Sequence, residues 1–358
     1  MHRFRSSLVI ATVCAASSAS FGVPTHDDLV YAIVGGQPLH LDLYLPAEAG
    51  PDGAPLVVFI HGGGWQNGTH NNLPFVLRQA AKDHGIAVAS VQYRLTSQAG
   101  QWGGESVVFP AQIHDVKAAI RFLRANADAY DLESERIITW GSSAGAHLAL
   151  LAALAGEEAG LEGEVGDHDG VSTDVIGAVS LFGPTNLLTM NDDVVTPPGT
   201  KIDHDSFNSP ESRLLGWSKP GQGIADIKAN LDNPNAPYPS LVELANSASP
   251  EHHADAADPP VLMVHGTEDA VVAAKQSMRL QTTLRRLGVD AQLESVFGGG
   301  HGQGFGAHEH DLSLRWAIDR FTEAANGQSA CGSDINGSGI VDLADLNAVL
   351  AAFGQVCP

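Results

Sequence analysis

An α/β fold, with a mainly parallel β-sheet covered by helices on both faces, is predicted by three observations. Between Leu29 and Phe297, short apolar runs alternate with stretches of helical pattern. Most of the short runs are near-continuous Val, Ile and Leu, as strands buried on both faces require. A chain of 358 residues, 44% apolar and 17% charged, is long enough to bury one large core and to carry a small appendage.

Taken in order, Leu29–Val34 and Leu39–Leu45 flank Gly35-Gly36, which predicts an antiparallel hairpin. Six further strands are expected at Pro55–Ile60, Ile86–Tyr93, Arg136–Trp140, Val175–Phe182, Pro260–His265 and Ala291–Phe297. The clearest helix is Pro110–Ala127, where Ile113, Val116, Ile120 and Leu123 recur at helical spacing behind a proline suited to a first turn. Others are expected at Ala144–Ala155, Val271–Leu287 and Asp311–Ala325, and Gly156–Ser172 reads as an acidic, glycine-rich loop. Asn186–Asp258 is rich in Pro, Asn, Asp and Ser and poorly periodic; a loop of that length inside a compact domain points to a flap over a functional site.

The two ends differ from this body. His2, Arg3 and Arg5 precede the apolar run Leu8–Ala16 and the small residues Ser17 to Ser20, so residues 1–20 read as a secretory signal. The protein is therefore expected to be secreted, or to sit at the cell surface or in the periplasm. Val13 is too bulky for the small residue that lipoprotein processing at Cys14 requires. No later stretch approaches the roughly 20 apolar residues of a membrane span. With 19 basic against 41 acidic residues the formal charge is −22, which argues against nucleic acid or an anionic lipid surface as a partner.

Residues 21–325 form the main domain, 326–330 a polar linker, and 331–358 a module of different character. Asp334, Asn336, Ser338, Ile340, Asp342 and Asp345 occupy positions 1, 3, 5, 7, 9 and 12 of a calcium loop, with Gly339 at position 6 and Ile340 offering its backbone carbonyl. A helix, Leu343–Phe353, is expected to follow. Once Cys14 leaves with the signal, Cys331 and Cys357 remain, an even pair that predicts a disulfide in an exported protein.

The chemistry-bearing residues lie at strand ends. Gly141-Ser142-Ser143-Ala144-Gly145 falls between the strand ending at Trp140 and an apolar helix, the setting of a nucleophile elbow with Ser143 at its tip. The helix aims its amino-terminal end at the same place, where it favours a developing oxyanion. His61-Gly62-Gly63-Gly64-Trp65 follows the third strand; Gly63 and Gly64, with the amide of Ala144, are the candidate oxyanion donors, and His61 reads as a buried structural histidine. The acid and the histidine should follow in that order on later loops. Asp269, after the strand that ends in His265, is the candidate acid, with Glu268 its competitor, and His301 in a glycine-flanked loop is the candidate base. His308 and His310 begin a helix without metal-ligand spacing.

With Ser143, Asp269 and His301 each at a strand end and in chain order, residues 29–325 resemble the α/β-hydrolase superfamily. His61-Gly-Gly-Gly-Trp65, Phe109-Pro-Ala-Gln-Ile-His-Asp115, Ala118-Ala-Ile-Arg-Phe-Leu123, Trp140-Gly-Ser-Ser-Ala-Gly-Ala-His-Leu148 and Ser209-Pro-Glu-Ser212 resemble the bacterial group related to bifunctional feruloyl/acetyl-xylan esterases. Hormone-sensitive-lipase-like carboxylesterases are the neighbouring group. A departure is Ala146, where many relatives carry glycine. The resemblance implies an eight-stranded α/β-hydrolase fold and a serine carboxylic-ester hydrolase with a Ser-His-Asp triad and no catalytic cofactor. The substrates implied are acetyl or feruloyl esters of polysaccharide, or other short-acyl esters. The same triad serves prolyl-oligopeptidase-like and formamidase-like enzymes, although no amino-terminal propeller precedes the domain, and some non-catalytic binding proteins keep the fold. The tail resembles a dockerin repeat; dockerins carry two and this sequence one, so a calcium-bound tail for attachment to a cell surface or scaffold is expected rather than cohesin binding.

Overall fold

The computed structural model describes residues 23–104, 106–194 and 202–326. The secretory signal, the linker beyond Asn326, the calcium-loop residues Asp334, Asn336, Ser338, Ile340, Asp342 and Asp345, and the pair Cys331 and Cys357 lie outside the described residues.

Eight strands form one sheet: β1 (His26–Val34), β2 (Gln37–Tyr44), β3 (Ala54–Ile60), β4 (Ala87–Val91), β5 (Leu132–Ser142), β6 (Gly177–Leu181), β7 (Val261–Gly266) and β8 (Ala291–Val296). Their order is β1-β2-β4-β3-β5-β6-β7-β8. β1 and β2 make the expected hairpin, β2 joins β4 antiparallel, and every pairing from β4 to β8 is parallel. The alternation of side chains along a strand splits β3 between two cores. Leu56, Val58 and Ile60 pack under helices Ala111–Ala125 and Ala144–Leu154, whereas Val57 and Phe59 face helices Phe75–Asp83 and Ala307–Ala325. Helix Ala144–Leu154 is apolar on every side, and it is enclosed by β5, β6, helix Ala111–Ala125 and the short helix Pro250–His253.

The structure differs from the sequence expectation at several places: the helix expected at Val271–Leu287 spans Lys275–Arg286, and β5 starts at Leu132 rather than Arg136. Helix Phe75–Asp83 was not anticipated: its inward face is only Leu77, Ala80 and Ala81, too weak a stripe to stand out. Asn186–Asp258 is not a plain loop but carries the short helices Met190–Asp193, Pro210–Leu214, Ile224–Ala229, Tyr238–Ser247 and Pro250–His253. Helices of one to three turns show little periodicity and exist through tertiary packing and caps; Ser209 Oγ, for example, accepts from Ser212 N at 3.0 Å with Pro210 in the first turn. The last helix starts at Ala307 rather than Asp311, because Glu309 reaches back to accept from Gly306 N at 2.7 Å. Among the described residues, no helix is long and apolar enough to cross a membrane.

Candidate active site

Ser143 sits at the turn from β5 into helix Ala144–Leu154 with φ 54° and ψ −122°. That region costs a residue with a side chain about 1–3 kcal/mol and persists only where the surroundings over-determine it. Here they do: Ser143 N donates to Leu181 O at 2.9 Å, locking the turn to the end of β6. A Cβ on Gly141 would stand 2.2 Å from Gly145 O, and one on Gly145 would stand 2.0 Å from Ile60 O. Only hydrogen fits at either position, so the spacing of small residues in the sequence reflects backbone packed on backbone.

His301, on the loop after β8, faces the serine. Its Nε2 lies 2.9 Å from Ser143 Oγ and its Nδ1 2.7 Å from Asp269 Oδ2. A carboxylate only accepts, so Nδ1 carries the hydrogen and Nε2 is free to accept from the serine hydroxyl. The Phe182 ring packs edge-on against the imidazole, with centroids 4.6 Å apart. Asp269 is the acid the structure brings to His301, while neighbouring Glu268 is exposed. Asp269 Oδ1 accepts from the amides of Val271 and Val272 at 2.8 and 2.9 Å. Burial works to raise its pKa, but hydrogen bonds from His265 and His301 outweigh that and hold the carboxyl well below its usual range.

His265 is a residue whose part here the sequence reading missed. As the penultimate residue of β7 it looked like strand core, yet its Nε2 lies 2.9 Å from Val272 O and 3.4 Å from Asp269 Oδ2. Ser277 Oγ donates to its Nδ1 at 2.7 Å, which keeps the hydrogen on Nε2.

A cavity of about 430 Å³ opens over Ser143 and His301, and Gly63, Gly64 and Ala144 line it with them. Gly63 has φ 123°, and a Cβ there would meet Asn67 O at 2.0 Å. Ala144 is the first residue of its helix, so its N–H has no carbonyl one turn earlier to meet. His61 lies outside the lining: it is buried, bonds Gly62 O at 2.8 Å, stacks on Tyr93, and burial lowers its pKa to about 4. Much of the wall comes from residues the sequence did not single out, namely Phe182, Pro184, Ile202 and His204, while Pro210 and Glu211 fall in the Ser209-Pro-Glu-Ser212 motif. Four lining residues, Ile202, His204, Pro210 and Glu211, belong to the stretch expected as a flap.

The BD-FAE family model matches residues 41–284. The chain belongs to the BD-FAE family. The match contains Gly63, Gly64, Ser143 and Asp269 and ends before His301. Similar proteins include Esterase LipC of Mycobacterium tuberculosis, 25% identical over 68% of this chain and 52% of that protein. The probable isoprenylcysteine alpha-carbonyl methylesterase ICMEL1 of Arabidopsis thaliana is 28% identical over 73% of this chain and 48% of that protein. The chain thus spans about half the length of these two relatives. Among solved structures, a truncated carbohydrate esterase from gut microbiota is 27% identical, with a TM-score of 0.67 over 85% of this chain and 99% of that one. A bifunctional GH43-CE protein of Bacteroides eggerthii is 30% identical, with a TM-score of 0.67 over 83% of this chain and 35% of that one. The BD-FAE domain is an α/β-hydrolase domain of the esterase kind, similar to carbohydrate esterases.

Proposed function

We propose that the protein is a secreted serine carboxylic-ester hydrolase acting through Ser143, His301 and Asp269. The observation that carries the reading is the unbroken hydrogen-bond line from Ser143 Oγ through both nitrogens of His301 to Asp269, at 2.9 and 2.7 Å. Ser143 attacks the ester carbonyl while His301 Nε2 takes its proton. The amides of Gly63, Gly64 and Ala144 receive the oxyanion, each such donor contributing about 3 kcal/mol of transition-state stabilisation. His301 then returns the proton to the leaving alcohol, and water cleaves the acyl-enzyme with the same base. Asp269 keeps the hydrogen on Nδ1 and offsets the charge of the imidazolium. No metal or organic cofactor enters these steps.

The substrates are acetyl or feruloyl esters of polysaccharide, or other short-acyl esters. This is supported by the similarity to carbohydrate esterases and by a cavity of modest volume. Residues 1–20 direct export, residues 21–325 are the catalytic domain, and residues 331–358 bind calcium and close a Cys331–Cys357 disulfide to attach the enzyme to a surface or scaffold.

A phosphonate probe is expected to label Ser143 and not Ser142, and Ser143→Ala to lose about 10⁴-fold or more in ester turnover. His301→Ala should be comparably inactive, and Asp269→Asn less impaired. Substantial turnover by Ser143→Ala would overturn the reading. Acetyl, butyryl, feruloyl and long-chain esters compared side by side test the substrate class, and a clear preference for chains beyond about ten carbons would reverse it.

A further inference from the structure

The acid of the triad stands on a stretch of chain with no regular structure. β7 ends at Gly266 and the next helix begins at Lys275, so Asp269, Val271 and Val272 lie in irregular chain. Asp269 meets His301 through Oδ2 and accepts from the amides of Val271 and Val272 through Oδ1. Its aim therefore depends on where those two amides are held, and two histidines hold the carbonyls of the same two residues. His265 Nε2 donates to Val272 O at 2.9 Å, and His204 Nε2 donates to Val271 O at 2.8 Å.

The His204 contact is the more direct of the two. Val271 O and Val272 N belong to one peptide group, which resonance keeps planar. That group is gripped at both ends, its oxygen by His204 and its hydrogen by Asp269 Oδ1, so it cannot turn without breaking one of the two bonds. A continuous line of hydrogen bonds runs from His204 through the 271–272 peptide, Asp269 and His301 to Ser143 Oγ. Within such a line each bond polarises the next.

The grip is itself held. His204 and Glu211 are each 2% exposed, and His204 Nδ1 lies 2.9 Å from Glu211 Oε1. A carbonyl and a carboxylate both accept, so both ring nitrogens carry hydrogen and the pair is imidazolium and carboxylate. Burial pulls the His204 pKa down, but the hydrogen bond and charge of Glu211 outweigh it and leave the pKa raised. The backbone N–H of His204 donates to Asn191 Oδ1 at 2.9 Å, and helix Pro210–Leu214, which carries Glu211, is capped by Ser209.

We propose that His204 is a positioning residue: charged and steadied by Glu211, it fixes the 271–272 peptide and so aims Asp269 at His301. The inference rests on the reading of Ser143, His301 and Asp269 as a triad. Loss of the grip misdirects the acid, which slows the proton transfers made by His301 more than it changes binding of the ester. His204 also lines the cavity, so kcat and KM have to be separated.

Two replacements of similar chemistry distinguish this role from a merely structural one in the full-length protein. The amide of His204→Gln reaches as far as Nε2 did and still donates to Val271 O, whereas the shorter amide of His204→Asn stands near the place of Nδ1 and serves only Glu211. With phenyl acetate as substrate, His204→Asn should lose about ten- to a hundredfold in kcat with KM within about threefold of wild type, and His204→Gln should recover most of that loss. The downfield proton resonance of His301 Nδ1 reports the bond to Asp269; it should shift or vanish in His204→Asn and return in His204→Gln. If His204→Asn does not fold, the double variant His204→Asn/Glu211→Gln, which buries no charge, takes its place with Glu211→Gln as its reference. Wild-type kcat in folded His204→Asn overturns the inference, as does an equal loss in His204→Asn and His204→Gln or a change confined to KM. Failure of the triad reading shows separately, as turnover of phenyl acetate by Ser143→Ala.

Discussion

The turn Gly141–Gly145 and the segment between β6 and β7 border one cavity and are held in place by different means. The turn is fixed by backbone against backbone, with Gly145 lying where a Cβ would stand 2.0 Å from Ile60 O. The segment is fixed by buried side chains. Gln276 Oε1 accepts from the amides of Thr185 and Asn186, both at 2.8 Å, and its Nε2 donates to Asp193 Oδ2 at 2.8 Å. Ser249 Oγ accepts from Leu187 N at 3.0 Å, and Asp193 is paired with Arg279 at 2.6 Å. His147 joins the two regions, since its Nε2 donates to Ala248 O at 2.7 Å while Trp65 Nε1 donates to its Nδ1 at 3.3 Å. The difference teaches which perturbation each region cannot absorb: an added atom in the turn, a lost hydrogen-bond partner in the segment.

The largest effect that would break this contrast is expected from Gly145→Ala. The new methyl must push the turn off β3, and a displacement of about 1 Å at a nucleophile costs on the order of 10²-fold in rate. Overpacking should also remove about 1–3 kcal/mol of stability. Near-wild-type kcat/KM and an unchanged denaturant midpoint would show that the turn is not locked by backbone contact. A smaller loss is expected from Gln276→Leu, which leaves the Thr185 and Asn186 amides buried and unpaired. Denaturant unfolding should register about 2–4 kcal/mol. Ester kinetics should show KM rising more than kcat falls, because the wall moves and Ser143 does not; a pure kcat effect would place Gln276 in the chemistry instead.

The link through His147 gives a smaller, pH-dependent effect. Burial lowers the pKa of His147 and of His61 from 6.5 to about 4. The folded state therefore binds fewer protons than the unfolded chain as pH falls from 6.5 towards 4. The stability that the two neutral histidines contribute is complete above that window and is lost through it, at up to about 1.4 kcal/mol per pH unit for each histidine. Denaturant midpoints measured between pH 7 and 4 should fall accordingly, and His147→Gln should have the shallower slope. A pH-independent midpoint would mean that neither histidine is held neutral by the fold. The smallest effect is expected from outside both regions: truncation after Ala325 should leave hydrolysis of a soluble ester unchanged and remove calcium binding. Loss of activity on truncation would tie the tail to the catalytic domain.

The two regions also differ in how far they could be read in advance. The turn was legible because its constraint is local: a strand, four small residues around Ser143 and an apolar helix follow one another without a break in residues 136–155. β3 and helix Ala111–Ala125 were legible for the same reason, since burial on both faces writes continuous apolar runs and one-sided burial writes a helical period. The segment between β6 and β7 was not, because the helices described there are too short to carry a period. Their stability comes from partners such as Gln276, about ninety positions from the amides it holds.

By itself, the sequence determined the layered α/β architecture, the hairpin at its edge, and Ser143, Asp269 and His301 as residues at strand ends in a fixed chain order. Periodicity and glycine placement record nearest-neighbour physics, and that is enough for those features. Only the tertiary structure decided that Ser143 and His301, 158 positions apart, stand 2.9 Å from each other. It alone showed that His265 turns towards Asp269, and that His204 and Glu211 form a charged pair in the cavity wall with one carboxylate oxygen left over. Hydrogen-bond partners between distant segments are set by how the elements pack, and a local pattern along the chain carries no record of which donor will meet which acceptor.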